Sequence, residues 1–239
     1  ASHDDALVQL QEVAVSQRLH LDIRFCGSVD AIRALNEGRC TLAGFHTRER
    51  PARQSLSAQQ YRGLLKPGQH KLLGFAHRQQ GLMVAPGNPL RLTDLASVAD
   101  RQARHAQRAL GTGTRLLQDE LLHEAGLSGQ ALHVLPQDDP SHAACAARVA
   151  SGQADVALGI ASAAQAQGLD FVPLVTETYH LVCLKAALDT PAMLALRQVL
   201  GSEAWQRTLL GVMGYRPHAS GEVQSLSQTF PWWTFKPRP

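Results

Sequence analysis

Gln80-Gly81-Leu82-Met83-Val84-Ala85-Pro86-Gly87-Asn88-Pro89 is the stretch that organises this chain. Gly81 to Pro86 is apolar and of strand length, and Pro86-Gly87-Asn88-Pro89 is a run of turn formers that neither a helix nor a central strand accommodates. A strand that ends on such a break marks a domain boundary. Working back from it, Lys71 to His77 reads as a second strand. His46 to Gln69 is polar and weakly periodic, with a short helix expected around Ser57 to Leu65. Further back, Leu7, Leu10, Val13 and Ala14 recur at helical spacing behind a cap at Ser2 or Asp4. Leu19 to Phe25 alternates as a strand, Gly27-Ser28-Val29-Asp30 opens a helix that ends near Gly38, and Cys40 to Phe45 is a buried strand. This β-α-β order calls for a parallel sheet with helices on its faces.

Forward of the break, Arg101 to Gln107 is hydrophilic and reads as helical, an unexpected lead-in to Leu110-Gly111-Thr112-Gly113-Thr114-Arg115-Leu116-Leu117. That segment places two glycines, two hydroxyls and an arginine at the start of an amphipathic helix. The first amides of a helix lack intrahelical acceptors and carry partial positive charge, and an arginine can grip two oxygens at once, so the segment has the chemistry of an anion clamp. A capped turn with a solvated Arg115 is the alternative reading. Ala131 to Leu135 and Ala154 to Ile160 are strands, and Ser141-His142 opens a helix that ends at Gly152. Phe171 to Val175 and Tyr179 to Leu184 are strands able to return the chain to the first half, followed by helices over Thr190 to Gly201 and Ser202 to Gly211.

The composition narrows the function classes. The 239 residues, 44% of them hydrophobic, support a sizeable core in one or two domains. The net charge of +3 is dispersed, which argues against direct nucleic-acid contact. No apolar run is long enough to span a bilayer, so no membrane partner is expected, and the aromatic tail Phe230-Pro231-Trp232-Trp233 reads as docked on the body. Cys26, Cys40, Cys145 and Cys183 follow no metal or disulfide spacing and read as reduced core thiols, which favours the cytoplasm over the periplasm. Gly111-x-Gly113 lacks the third glycine of a dinucleotide loop and the Gly-Lys-Ser/Thr ending of a P-loop, and no hydrolase motif is present, so no enzyme is expected. A two-lobed phosphoribosyl-transferring enzyme is the catalytic alternative.

Several segments in order, Ser2-His3-Asp4-Asp5-Ala6-Leu7, Gly27-Ser28, Gly38 to Gly44 with His46, Gln80 to Pro89, Gly111 to Arg115, Ser141-His142-Ala143-Ala144, Val149 to Ile160, Leu169 to Leu174 and Pro231-Trp232-Trp233, resemble the periplasmic-binding-protein-like domain of molybdate-type sensors. Such domains often follow a helix-turn-helix DNA-binding domain in bacterial regulators. The resemblance implies an α/β, two-lobed type II fold with two hinge crossings that closes on a small ligand. Lobe 1 would be residues 1–86 plus 178–239, and lobe 2 residues 87–177. It further implies a non-catalytic effector-sensing domain for a small oxyanion such as molybdate or tungstate, or for a molybdenum-cofactor-like organic anion, with no cofactor beyond that ligand. DNA would be reached only through a separate helix-turn-helix domain, and a homodimer is compatible. A free periplasmic solute-binding protein of an anion importer is the alternative. The chain departs from the family at Gln107-Arg108-Ala109-Leu110, where Asn-Arg-Gln-x is usual. Candidate ligand-binding residues are Ser2, His3, Ser28, His46, Thr112, Gly113, Thr114, Arg115, His142 and Tyr179.

Overall fold

The computed structural model describes residues 1, 4–230 and 232. In chain order the elements are α1 (Asp5–Ser16), α2 (Ser28–Asn36), β1 (Ala43–Arg48), α3 (Leu56–Arg62), β2 (His70–Val84), α4 (Leu95–Asp100), β3 (Arg104–Ala106) and α5 (Gly113–Glu124). They continue with β4 (His133–Val134), α6 (His142–Ala150), β5 (Val156–Ile160), α7 (Ala161–Ala166), β6 (Asp170–Leu184), α8 (Pro191–Gly201), α9 (Glu203–Leu210), β7 (Tyr215–Pro217), β8 (Val223–Gln224) and α10 (Leu226–Thr229). The chain divides into two compact units. Unit 1 is Ala1–His77 with Glu177–Pro239, and unit 2 is Arg78–Thr176, so the chain passes between them twice, once within β2 and once within β6. The Pro86–Pro89 turn follows the end of β2 inside unit 2.

In unit 1, β1 lies antiparallel to β6, pairing His46 with Tyr179 and Thr47 with Thr178, while β8 pairs with β2 at Leu72 and Leu73. Alternation along the strands feeds two cores. Leu73 and Phe75 pack with α1, α8 and α9 around Trp205, and Phe45, Leu72 and Val182 pack with α2, α3 and α10 around Phe230. The tail closes the second core, with Phe230 and Trp232 stacked at 4.5 Å; Pro231 and Trp233 lie outside the described residues. Unit 2 has its own pair of cores. Leu82 and Val84 face α4 and α5, and Met83 faces α6 and α7, across a sheet in which β5 is antiparallel to β2 and parallel to β3. Each fully buried aliphatic or aromatic side chain contributes about 1.5–3 kcal/mol, so these four clusters define the units.

Four expectations are corrected. Leu19 to Phe25 is extended, and Leu19, Leu21 and Ile23 pack on the first core, but the segment joins no strand ladder among the described residues. Its alternation reflects one buried face, its end bonding the backbone of Ala1 through the Arg24 carbonyl and the Cys26 amide, and among the described residues the anticipated β-α-β unit is not formed. Among the described residues the parallel ladders are those of β3 with β4 and with β5, in unit 2, while unit 1 has only isolated parallel bridges, Pro67 with His70 and Gly74 with Ser220. The strands expected over 71–77 and 81–86 are one fifteen-residue strand, as are those expected over 171–175 and 179–184. Arg78 and Gln80 interrupt the apolar pattern of β2 because they are buried polar residues, not because the strand stops. Finally, Arg101 to Gln107 contains β3 rather than a helix. Its polarity has two causes: Arg104 forms a bidentate pair with Asp155 at 2.7 and 3.0 Å, and His105 is fully buried.

Candidate functional site

In unit 2 the N-termini of α5 and α6 are tied together. Thr112 caps α5, its hydroxyl accepting from the Arg115 amide at 3.3 Å, and Gly111 precedes it at φ +82°, a left-handed conformation that glycine adopts without strain. Ser141 caps α6 in the same way, accepting from the Ala144 amide at 3.0 Å. The loops leading into the two helices exchange backbone bonds, Asp139 N–H to Gln107 C=O at 2.9 Å and Ala109 N–H to Asp139 C=O at 3.2 Å. The Arg108 guanidinium donates to the Pro140 carbonyl at 3.0 Å. Behind the caps, Thr114 is only 4% exposed; its hydroxyl lies 3.4 Å from His142 Nε2 and accepts from the Gln80 amide at 3.3 Å. Each cap satisfies one first-turn amide, so two positive helix ends sit side by side with donors to spare.

Arg115 stands in the first turn of α5, with Nε 3.5 Å from Asp119 Oδ1 one turn along. The Arg115 side chain is half-buried and Asp119 is exposed. Of the residues anticipated from sequence, Thr112, Gly113, Thr114, Arg115 and His142 are thus brought together. Gln80 and Arg108 belong to the same cluster and were missed. The available signal was a glutamine between two apolar strand halves and an arginine immediately ahead of the glycine loop.

In unit 1 the anticipated residues have different surroundings. Ser28 is the first residue of α2, is 2% exposed, and its hydroxyl has no hydrogen-bond partner among the described residues; Gly27 caps the helix without a side chain. His46 is buried, its Nε2 3.1 Å from Asp4 Oδ2. Asp4 also caps α1 through the Ala6 amide at 2.9 Å and accepts from the Tyr215 hydroxyl at 3.1 Å. Tyr179 is fully buried, its ring 4.1 Å from that of His46 and 5.2 Å from that of Phe75. Its hydroxyl end lies against Gly44, where any Cβ would collide with it. His46 therefore holds the α1 cap residue Asp4 from within the core, with the Tyr179 ring packed against it. Ser2 and His3 lie outside the described residues.

The expectation of four buried thiols also needs correcting: Cys145 and Cys183 are buried, Cys40 is half-buried and Cys26 is exposed. Burial, with Asp139 adding to it, pushes the Cys145 thiol up to about 12, so it is inert at neutral pH. No helix among the described residues is long and apolar enough to cross a membrane.

Two α/β units joined by two strand crossings, with capped helix N-termini gathered at loop ends, define a two-lobed periplasmic-binding-protein-like domain. The sequence profile of the PBP superfamily domain matches residues 10–201, and the chain belongs to that family. The uncharacterized protein YvgK of Bacillus subtilis (strain 168) is 28% identical over 200 residues, covering 84% of this chain and 64% of YvgK, so the match spans somewhat less than two thirds of that relative. Among solved structures, a Clostridium perfringens protein described as a phosphate ABC transporter substrate-binding protein, with bound phosphate, superposes with a TM-score of 0.64 at 14% identity, covering 89% of this chain and 94% of that one. The effector-binding domain of QuiR in complex with shikimate gives a TM-score of 0.52 at 15% identity, covering 87% and 91%.

Proposed function

We propose that this chain is the non-catalytic, effector-sensing domain of a cytoplasmic bacterial transcription regulator, and that it binds a small oxyanion: molybdate, tungstate, or a molybdenum-cofactor-like organic anion. DNA is contacted through a separate helix-turn-helix segment. The observation that carries the reading is the pairing of the α5 and α6 N-termini around the buried Thr114 hydroxyl, with Arg115 one residue away and half-buried, its Nε 3.5 Å from Asp119. Backbone amides, hydroxyls and one arginine can bind an oxyanion without a cluster of full positive charges. Ser28 at the start of α2, in unit 1, has a hydroxyl and helix-end amides of the same chemistry. The readings as a free importer component or a phosphoribosyl-transferring enzyme have no residue in this cluster that favours them.

Thermal unfolding with molybdate, tungstate, sulfate and phosphate tests the proposal. A ligand at about one hundred times its Kd stabilises the folded state by about 2.7 kcal/mol, a readily measured rise in midpoint. Arg115→Ala weakens binding by more than about tenfold. Flat responses to all four anions remove the inorganic-anion form of the proposal, and unchanged affinity in Arg115→Ala removes Arg115 from the site.

A further inference from the structure

Strand alternation places Thr47, Thr178 and His180 on the face of unit 1 opposite to His46 and Tyr179. On that face lies a cavity of about 500 Å³ lined by unit 1 residues, and none of the ligand residues anticipated from sequence borders it. Its wall holds three imidazoles. The His77 and His218 rings are in contact, with centroids 3.9 Å apart, and two are fixed by threonines: Thr178 Oγ1 lies 3.2 Å from His77 Nδ1, and Thr47 Oγ1 lies 3.0 Å from His180 Nε2. Arg50 adds an exposed cation. Glu49 is the one carboxylate among the lining residues, and it is claimed by Arg216 at 3.3 Å, with His77 Nε2 at 4.0 Å. Gln224 and Gln228 supply amides, and Val223 and Phe230 supply an apolar wall.

We propose that this cavity is a second binding site, for a small organic monocarboxylate, whose carboxylate is held by His77, His218 and Arg50 and whose body lies along Phe230 beside the amides of Gln224 and Gln228. The chemistry of the wall selects this class. Among the described residues no three His, Cys, Asp or Glu side chains have the arrangement of metal ligands, so the imidazoles do not form a metal centre. One uncommitted arginine beside two imidazoles matches a single negative charge, and the mixed amide and apolar wall suits an organic body rather than a bare inorganic ion.

Proton linkage follows from the electrostatics. Burial and neighbouring basic groups hold these imidazoles neutral. His77 is pushed down to about 4 by desolvation, His218 and Arg216, against an opposing pull from Glu49. His218 is lowered by desolvation and Arg216, against Glu49 and Glu222, and His180 falls to about 3 through desolvation, His218, His46 and His77. An incoming carboxylate supplies the missing countercharge, so binding takes up a proton and strengthens as pH falls.

The test is a histidine side-chain NMR titration of the full chain with acetate, lactate and benzoate at about pH 6 and about pH 8. The expected result is a saturable shift of the His77 and His218 resonances with at least one of them, with affinity more than about tenfold higher at the lower pH. His218→Gln and the surface variant Arg50→Ala each weaken that binding by about tenfold or more and leave the thermal response to oxyanions intact. No saturable histidine response to any of the three, a response indifferent to both substitutions, or a pH-independent affinity overturns the proposal. A positive carboxylate titration beside flat oxyanion responses would separate the failure of the primary reading from the failure of this one.

Discussion

His105 offers a sharp test of the energetics of unit 2. Its side chain is 0% exposed, and neither ring nitrogen has a hydrogen-bond partner among the described residues. Burial, assisted by the charge of Arg115, lowers its pKa from 6.5 to about 4. Because the folded-state value is depressed, the unfolded chain binds more protons below about pH 6.5, and stability falls as pH falls through the window from about 6.5 to about 4. The lowering from 6.5 to about 4 amounts to a total loss of about 3 kcal/mol, of which about 2 kcal/mol has occurred by pH 5. In His105→Leu this component is absent. At about pH 7.5, where the imidazole is neutral in both states, the substitution also removes two unsatisfied buried nitrogens and is therefore neutral or stabilising, by up to about 1–3 kcal/mol. Urea unfolding of the parent and variant at about pH 7.5 and about pH 5 measures the difference. His77 and His180 titrate equally in both proteins and cancel. Equal acid losses in the two proteins would refute the argument, and so would a loss of stability by the variant of more than about 2 kcal/mol at pH 7.5, since either would mean that the imidazole has a partner or a packing role.

Three further predictions concern unit 1 and the thiols. Gly44→Ala drives a Cβ into the Tyr179 hydroxyl and lowers stability by about 1–3 kcal/mol in thermal or urea unfolding; an unchanged midpoint would mean that the Tyr179 ring moves freely. Asp4→Ala removes the α1 cap together with the acceptor for Tyr215 and the partner of His46, at a cost of about 2–4 kcal/mol by the same assays, well above the roughly 1 kcal/mol of a cap alone. Alkylation with iodoacetamide at about pH 8 modifies exposed Cys26 first and leaves Cys145 and Cys183, raised to about 12 and about 11, protected until unfolding; mass spectrometry of the labelled peptides reads the order.

Much of the fold is legible because it rests on local chemistry. Asp4, Thr112 and Ser141 announce α1, α5 and α6 by capping, and Gly38, Gly126, Gly152 and Gly168, all with positive φ, close helices where the sequence places them. Strand pairing is another matter. Nothing local distinguishes Leu19 to Phe25, which alternates but joins no strand ladder among the described residues, from β3, whose Arg104 and His105 conceal a paired strand. Whether alternation becomes a ladder depends on a neighbour distant in sequence. The candidate site divides in the same way. Gly111 to Arg115 is recognisable from its own residues, whereas Gln80 enters the site from a strand more than thirty residues away, and only packing places it on Thr114.

The sequence by itself determined the α/β class, the helix ends, the glycine loop of unit 2 and the absence of hydrolase and nucleotide-loop motifs, because each follows from interactions within a turn or two of chain. The tertiary structure alone decided which polar residues are buried, since desolvation and hydrogen bonding depend on what is packed against a group rather than on its neighbours in sequence. That is why His46 is found bonded to the α1 cap residue Asp4 with Tyr179 packed on it, and why His77, His180 and His218, unremarked in the sequence, share one cavity wall.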